Sequence, residues 1–150
     1  MDIVHARWSA NRQLVGWDAN GHGIVMDTPA GGSGEGTGWR PVELLLLGLA
    51  GCTGIDVISI LEKKREDVRG FEIEVRGEPH LDAWPHYYET IEVVYTVTGV
   101  GVKPASVARA IELSEEKYCS VSGCLGPQCV ITTSFEVVEF EPQIGPKDRS

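Results

Sequence analysis

Positive charge is scarce in this 150-residue chain: 13 Lys and Arg stand against 22 Asp and Glu, for a net charge of −9. No Lys/Arg cluster offsets that excess, so nucleic acid is excluded as an expected partner. Long apolar runs are missing too. The longest uncharged apolar stretch, Leu44 to Ile55, ends at Asp56, short of the roughly 20 residues a membrane-spanning helix needs. It reads as a buried helix of a soluble protein, with no membrane expected. The first residues, "MDIVHARW", carry an acid at position 2 and no apolar segment of the secretory type, so a cytoplasmic location is the expectation. In a reducing compartment the four cysteines read as free thiols, metal ligands or redox groups rather than structural bridges. The Gly-rich "PAGGSGEGTGWRP" fits neither GxGxxG nor GxxxxGK(S/T), which removes the usual grounds for expecting a nucleotide, and no cofactor is expected.

What is present suffices for one ordinary domain, residues 1–140, with 42% hydrophobic residues to fill a core. "DIVHARWS" and "QLVGWDA", separated by "ANR", read as an opening hairpin, "GIVMDT" as a third strand, and the Gly-rich segment as a flexible loop. Pro41 then stands where a first helical residue would, Glu43 falls in the favourable first turn, and the helical pattern runs to about Arg65. "FEIEVRGEP" and "TIEVVYTVTG" alternate apolar and polar residues as half-buried antiparallel strands do. Pro104 opens a second helix, "PASVARAIELSEEKYC", ending at Cys119; a turn-rich "SVSGCLGPQ" leads to a last strand, "CVITTSFEVVEF". Residues 141–150 are expected to be a disordered tail. The predicted order is βββ-α-ββ-α-β.

Cys52 lies in the middle of the apolar helix, in "LLLLGLAGCTGIDVISIL". A small hydrophobe beside a Gly/Ala step that lets helices approach closely is one reading of it; a reactive sulfur held by a core is the other. Cys119, Cys124 and Cys129 follow one another at close spacing, with His80 and His86 available, so a metal site is a rival chemistry. Its case is poor, because a C-x4-C pair is at the edge of zinc spacing and no CxxC exists. "HYY" and the nearby Trp84 form an aromatic cluster that reads as core or dimer packing.

"PVELLLLGLAGCTGIDVISILEKKR" and "ELSEEKYCSVSG", in this element order, resemble the OsmC/Ohr family of osmotically inducible and organic hydroperoxide resistance proteins, over about Ile3 to Val138. The P-x-E-L start, the A-G-C step and the cysteine at the end of the second helix carry the likeness. The resemblance implies an α+β fold of antiparallel sheets around a long central apolar helix, in an intertwined homodimer. It also implies a thiol peroxidase acting on organic hydroperoxides and reduced by a lipoyl-type dithiol. Cys52 is then the attacking thiol and Cys119 the resolving one, the two expected within reach of each other. The alternative is a non-enzymatic small-molecule binding protein with an apolar pocket at the dimer interface.

The charged partners depart from the family pattern. A glutamate ten residues before the reactive cysteine is expected there, but Val42 occupies that place and Glu43 lies nine residues away. At about 100° and 1.5 Å per residue, Glu43 is half a turn round the helix from Cys52 and about 13 Å along it, too far to touch it. Its plain role is a first-turn dipole partner. The resemblance offers two arginines to activate the thiol: Arg12 in the first hairpin turn and Arg40 just before the helix. Asp56, one turn after Cys52, works against activation unless an arginine pairs with it.

Overall fold

A computed structural model of the protein describes residues 1–82 and 84–142. Glu141 and Pro142 belong to no regular element, and the rest of the expected tail lies outside the described residues. The chain forms two compact units, Met1–Leu47 and the remainder from Gly48.

The first unit is an antiparallel meander of β1 (Val4–Ala10), β2 (Gln13–Asp18) and β3 (Gly23–Met26). Its first turn has Asn11 in the left-handed region (φ 47°), a conformation asparagine tolerates better than most residues. The Gly-rich segment expected to be flexible is instead folded round one carboxylate. Asp27, 2% exposed, accepts from the N–H groups of Thr28, Glu35 and Thr37 and from the Thr37 hydroxyl. Two of the glycines are there because nothing larger fits: a Cβ at Gly34 or Gly38 would run into the backbone of Thr28 or Val25.

Helix α1 (Glu43–Lys63) begins in this unit and continues into the second. Glu43 in its first turn accepts from the Arg40 N–H at 3.1 Å and Arg40 Nε at 2.8 Å, satisfying groups that a helix start leaves open. The chain leaves the helix at Arg65, where φ is 58° and the Glu66 N–H returns to the Leu61 carbonyl. The helix matches the pattern expected to run from Pro41 to about Arg65. By length and composition alone it could cross a membrane, a test that the core helix of a soluble protein also passes. The expected burial is only partly met within one chain: Leu49, Thr53, Gly54, Val57 and Leu61 are buried, while Leu45, Leu47 and Ile55 are open.

In the second unit β4 (Asp67–His80) and β5 (Tyr87–Val100) pair antiparallel from Asp67↔Val100 to His80↔Tyr87. They are followed by α2 (Pro104–Leu113), a wide π turn (Ser114–Tyr118), α3 (Ser120–Leu125) and β6 (Val130–Glu139). Strand β6 lies on the free side of β5, from Thr90↔Val130 to Gly99↔Glu139, and the pairing is parallel. The expectation of purely antiparallel sheets fails here for a topological reason. The helices between β5 and β6 carry the chain back to the start of β5, so the new strand runs the same way. Two local readings also change: the single second helix is interrupted by the π turn, and the turn-rich "SVSGCLGPQ" contains α3. The core is made by Leu49, Val57 and Leu61 of α1, Ile91, Val93, Tyr95 and Val97 of β5, and Val107, Ala110 and Ile111 of α2. Helix α1 lies close to β4 at Gly54, where a Cβ would stand 2.7 Å from Ile73 Cδ1 and the isoleucine would have to turn aside, whereas a Cβ at Gly51 would meet nothing within 4 Å.

Candidate active site

Cys52 projects from the middle of α1 and is half-buried; Cys119 is 8% exposed, at the junction of the π turn and α3. The two side chains are neighbours, close enough for the Cys52 thiol to act on the titration of Cys119. A Cβ on Gly51, the glycine before Cys52, would meet nothing within 4 Å in the chain.

Around the pair lies a buried chain of hydroxyls. Tyr95 Oη is 2.6 Å from Thr53 Oγ1, and Ser114 Oγ is 3.0 Å from both Thr53 Oγ1 and Asp56 Oδ2. Tyr95, Thr53 and Ser114 are 1%, 3% and 0% exposed. A carboxylate only accepts, so the single Ser114 proton goes to Asp56; Thr53 then donates to Ser114, and Tyr95 to Thr53. Every proton in the line is used, as buried polar groups require. Asp56, expected to need an arginine, has its carboxylate engaged by Ser114. A cavity of about 20 Å³ borders Thr53 and Tyr95 of this line, with Glu115, Cys119 and Ser122 among its other lining residues.

Burial pushes the Cys119 thiol up, the Ser122 N–H works in the opposite direction, and the adjacent Cys52 raises it further. The Ser122 hydroxyl, which donates to the Cys119 carbonyl at 2.7 Å, also works to lower it. Tyr95 is pushed up to about 12, first by burial, with Thr53 opposing because its hydroxyl can turn to donate to a tyrosinate; Glu115, Cys119 and Asp56 add to the rise through their negative charge.

The other expected site residues lie in the first unit. Arg40 and Glu43 bind each other, Nη2 to Oε1 at 2.6 Å. The hydrogen bond from the Arg40 side chain holds the Glu43 carboxyl below its ordinary range. Arg12 is in the β1–β2 turn, as expected, and borders a cavity of about 470 Å³ with Trp8, Asn11, Leu14, Met26 and Asp27. His80 stacks on Tyr87 and His86 on Trp84, Cys124 is exposed, Cys129 is half-buried, and among the described residues no group of three or more potential ligands is gathered to hold a metal. Trp84 is 84% exposed, so the aromatic cluster is a surface stack and not core.

A family model described as OsmC-like protein matches residues 33–134, a span that holds α1, both thiols and the Ser114 bridge. The chain belongs to the OsmC-like family. It is 42% identical over 135 residues to the protein YhfA of Escherichia coli K12, covering 90% of this chain and 97% of the relative. A crystal structure of a hypothetical protein from Aquifex aeolicus VF5 superposes with a TM-score of 0.82 at 32% identity, covering 94% of this chain and 98% of that one. The organic hydroperoxide resistance protein OhrB of Bacillus subtilis shares the fold with a TM-score of 0.63 at 18% identity, covering 91% and 98%. The OsmC/Ohr resemblance read from the two cysteine segments thus holds for family and fold.

Thr53, Tyr95, Ser114 and Ser122 were not singled out from the sequence. A faint signal existed for two of them: Thr53 interrupts an apolar helix face, and Tyr95 takes an inward place in the alternation Ile91, Val93, Tyr95, Val97. Ser114 had none, since its role depends on a π turn that "SEEKY" does not announce.

Proposed function

We propose that the protein is a thiol peroxidase for organic hydroperoxides with a role in oxidative stress, working through Cys52 and Cys119. The observation that carries this reading is the pair itself: a partly open thiol on a rigid helix beside a buried thiol whose ionisation is held back. That difference suits different tasks. Cys52 as thiolate attacks the outer oxygen of the hydroperoxide, the O–O bond breaks, and the alkoxide leaves as alcohol after taking a proton; Cys52 becomes a sulfenic acid. The Cys119 thiolate then attacks the Cys52 sulfur, the S–O bond breaks, hydroxide leaves as water, and a disulfide remains. A dithiol of lipoyl type returns both sulfurs to thiols by exchange, taking the oxidation on itself. Membership of the OsmC-like family and the fold shared with a hydroperoxide resistance protein support the same reading. Arg12 and Arg40 are the candidates for holding the peroxide, and Glu43 for orienting Arg40. The protein works in the cytoplasm as a homodimer, with no cofactor, metal, nucleic acid or membrane.

The test is a thiol count on purified protein before and after one equivalent of cumene hydroperoxide. Loss of two thiols per chain, with a Cys52–Cys119 peptide in the digest, is the expected result. An unchanged count overturns the peroxidase and leaves the binding protein with an apolar interface pocket as the reading to pursue.

A further inference from the structure

Ser114 touches both halves of the thiol site. Its Oγ reaches Thr53 and Asp56, the residues one and four places after Cys52 on α1, at 3.0 Å each. Its carbonyl accepts the Cys119 N–H at 2.8 Å. That second bond spans five residues instead of the four of an α-helix, and it makes the π turn Ser114–Tyr118. One extra residue in a turn rotates all that follows by about 100° round the axis, so the turn decides which way Cys119 faces. At 0% exposure Ser114 is shut off from bulk solvent.

We infer that Ser114 is a positioning residue for the thiol pair: through its hydroxyl it grips the helix of Cys52, and through its carbonyl it fixes the backbone of Cys119. The inference rests on the reading that these two cysteines form a disulfide. Holding the sulfurs together in the reduced protein removes disorder that closure would otherwise have to remove, so the bridge forms more readily. Thr53 and Asp56 serve as the fixed end of the grip, and Tyr95 orients the Thr53 hydroxyl.

The experiment equilibrates the full chain with oxidised and reduced dithiothreitol and quantifies the Cys52–Cys119 bridge by alkylation and peptide mass, in the wild type, Ser114→Ala and Thr53→Val. A loss of stability shared by the reduced and oxidised forms leaves this equilibrium unmoved, which separates positioning from mere structural support. For Ser114→Ala the disulfide equilibrium constant is expected to fall tenfold, a potential about 30 mV less negative, and a peroxide pulse is expected to leave more Cys52 as sulfinic acid. Thr53→Val keeps the side-chain size and loses one end of the grip, so a fall of about threefold is expected; this variant decides the matter if Ser114→Ala does not fold. Equilibrium constants within twofold of wild type in the folded variants overturn the positioning role and leave the peroxidase standing. A wild-type chain that forms no Cys52–Cys119 bridge overturns both.

Discussion

Tyr95 Oη stands 2.6 Å from Thr53 Oγ1, the two hydroxyls meeting between the central strand β5 and helix α1 in the buried core beside the thiols. A phenol there is stable only while neutral, since a tyrosinate would be buried close to Glu115 and Asp56.

That contact gives alkaline stability a definite sign. The folded Tyr95 keeps its proton up to about 12, whereas in the unfolded chain it leaves near 10. Between those values the unfolded state binds fewer protons, so the contribution is fully present below pH 10 and is lost as pH rises through 12. Its size is about 2–3 kcal/mol. Urea unfolding at pH 8 and pH 11 is expected to show about half of that loss, about 1.4 kcal/mol, in the wild type, and Tyr95→Phe is expected to lose correspondingly less between the two pH values. Absorbance at 295 nm in the folded protein should show one of its four tyrosines ionising after the others. Equal pH dependence in the two proteins would mean that the phenol is not buried in solution.

Ile55, 71% exposed, and Leu45 and Leu47, 49% and 46%, line an α1 that one chain does not cover. Apolar surface of this kind on a central helix calls for a partner, and a second copy of the chain is the expected one. Light scattering at micromolar concentration is expected to give twice the 16.3 kDa chain mass. Ile55→Glu, which puts a charge where the partner would sit, should shift the protein towards monomer and lower its melting temperature. A wild type that is monomeric and well folded at that concentration rules the idea out, and recovery with membranes would point to lipid as the cover instead.

Element types were largely legible in the sequence because each rests on local signals. Pro104 sets the start of α2, and the alternation in β4 and β5 reflects a sheet with one covered face. The two cysteines were legible through family likeness, and the structure places them side by side. What escaped depends on partners far apart in the chain. The parallel β5–β6 pairing is a property of the connection, not of either strand. The Ser114 bridge joins residues 58 and 61 places apart, and nothing in a serine before two glutamates marks it. The Gly-rich loop misled for a similar reason: its composition suggests freedom, but Asp27 supplies an acceptor for its N–H groups from outside the glycines.

The two thiols should fail in different ways, and pH should separate their steps. Cys52→Ser removes the attacking sulfur, so hydroperoxide consumption is expected to fall to background even with excess dithiol. Cys119→Ser still attacks once; its sulfenic acid then finds no internal partner and, under excess peroxide, gains a second oxygen on the peptide that holds Cys52. In the wild type the closing step needs the Cys119 thiolate, and burial keeps that thiol protonated beyond the ordinary range, which for cysteine centres near 8.5. Disulfide closure measured by stopped flow after a peroxide pulse is therefore expected to accelerate about tenfold per pH unit from pH 7 through 8.5, without levelling there. Levelling below pH 8 would show that the resolving thiol is not the buried Cys119. If Cys124→Ser stalls after one turnover while Cys119→Ser cycles normally, the exposed Cys124 is the resolving residue instead, and if both Cys52→Ser and Cys119→Ser consume peroxide at the wild-type rate, neither thiol is catalytic.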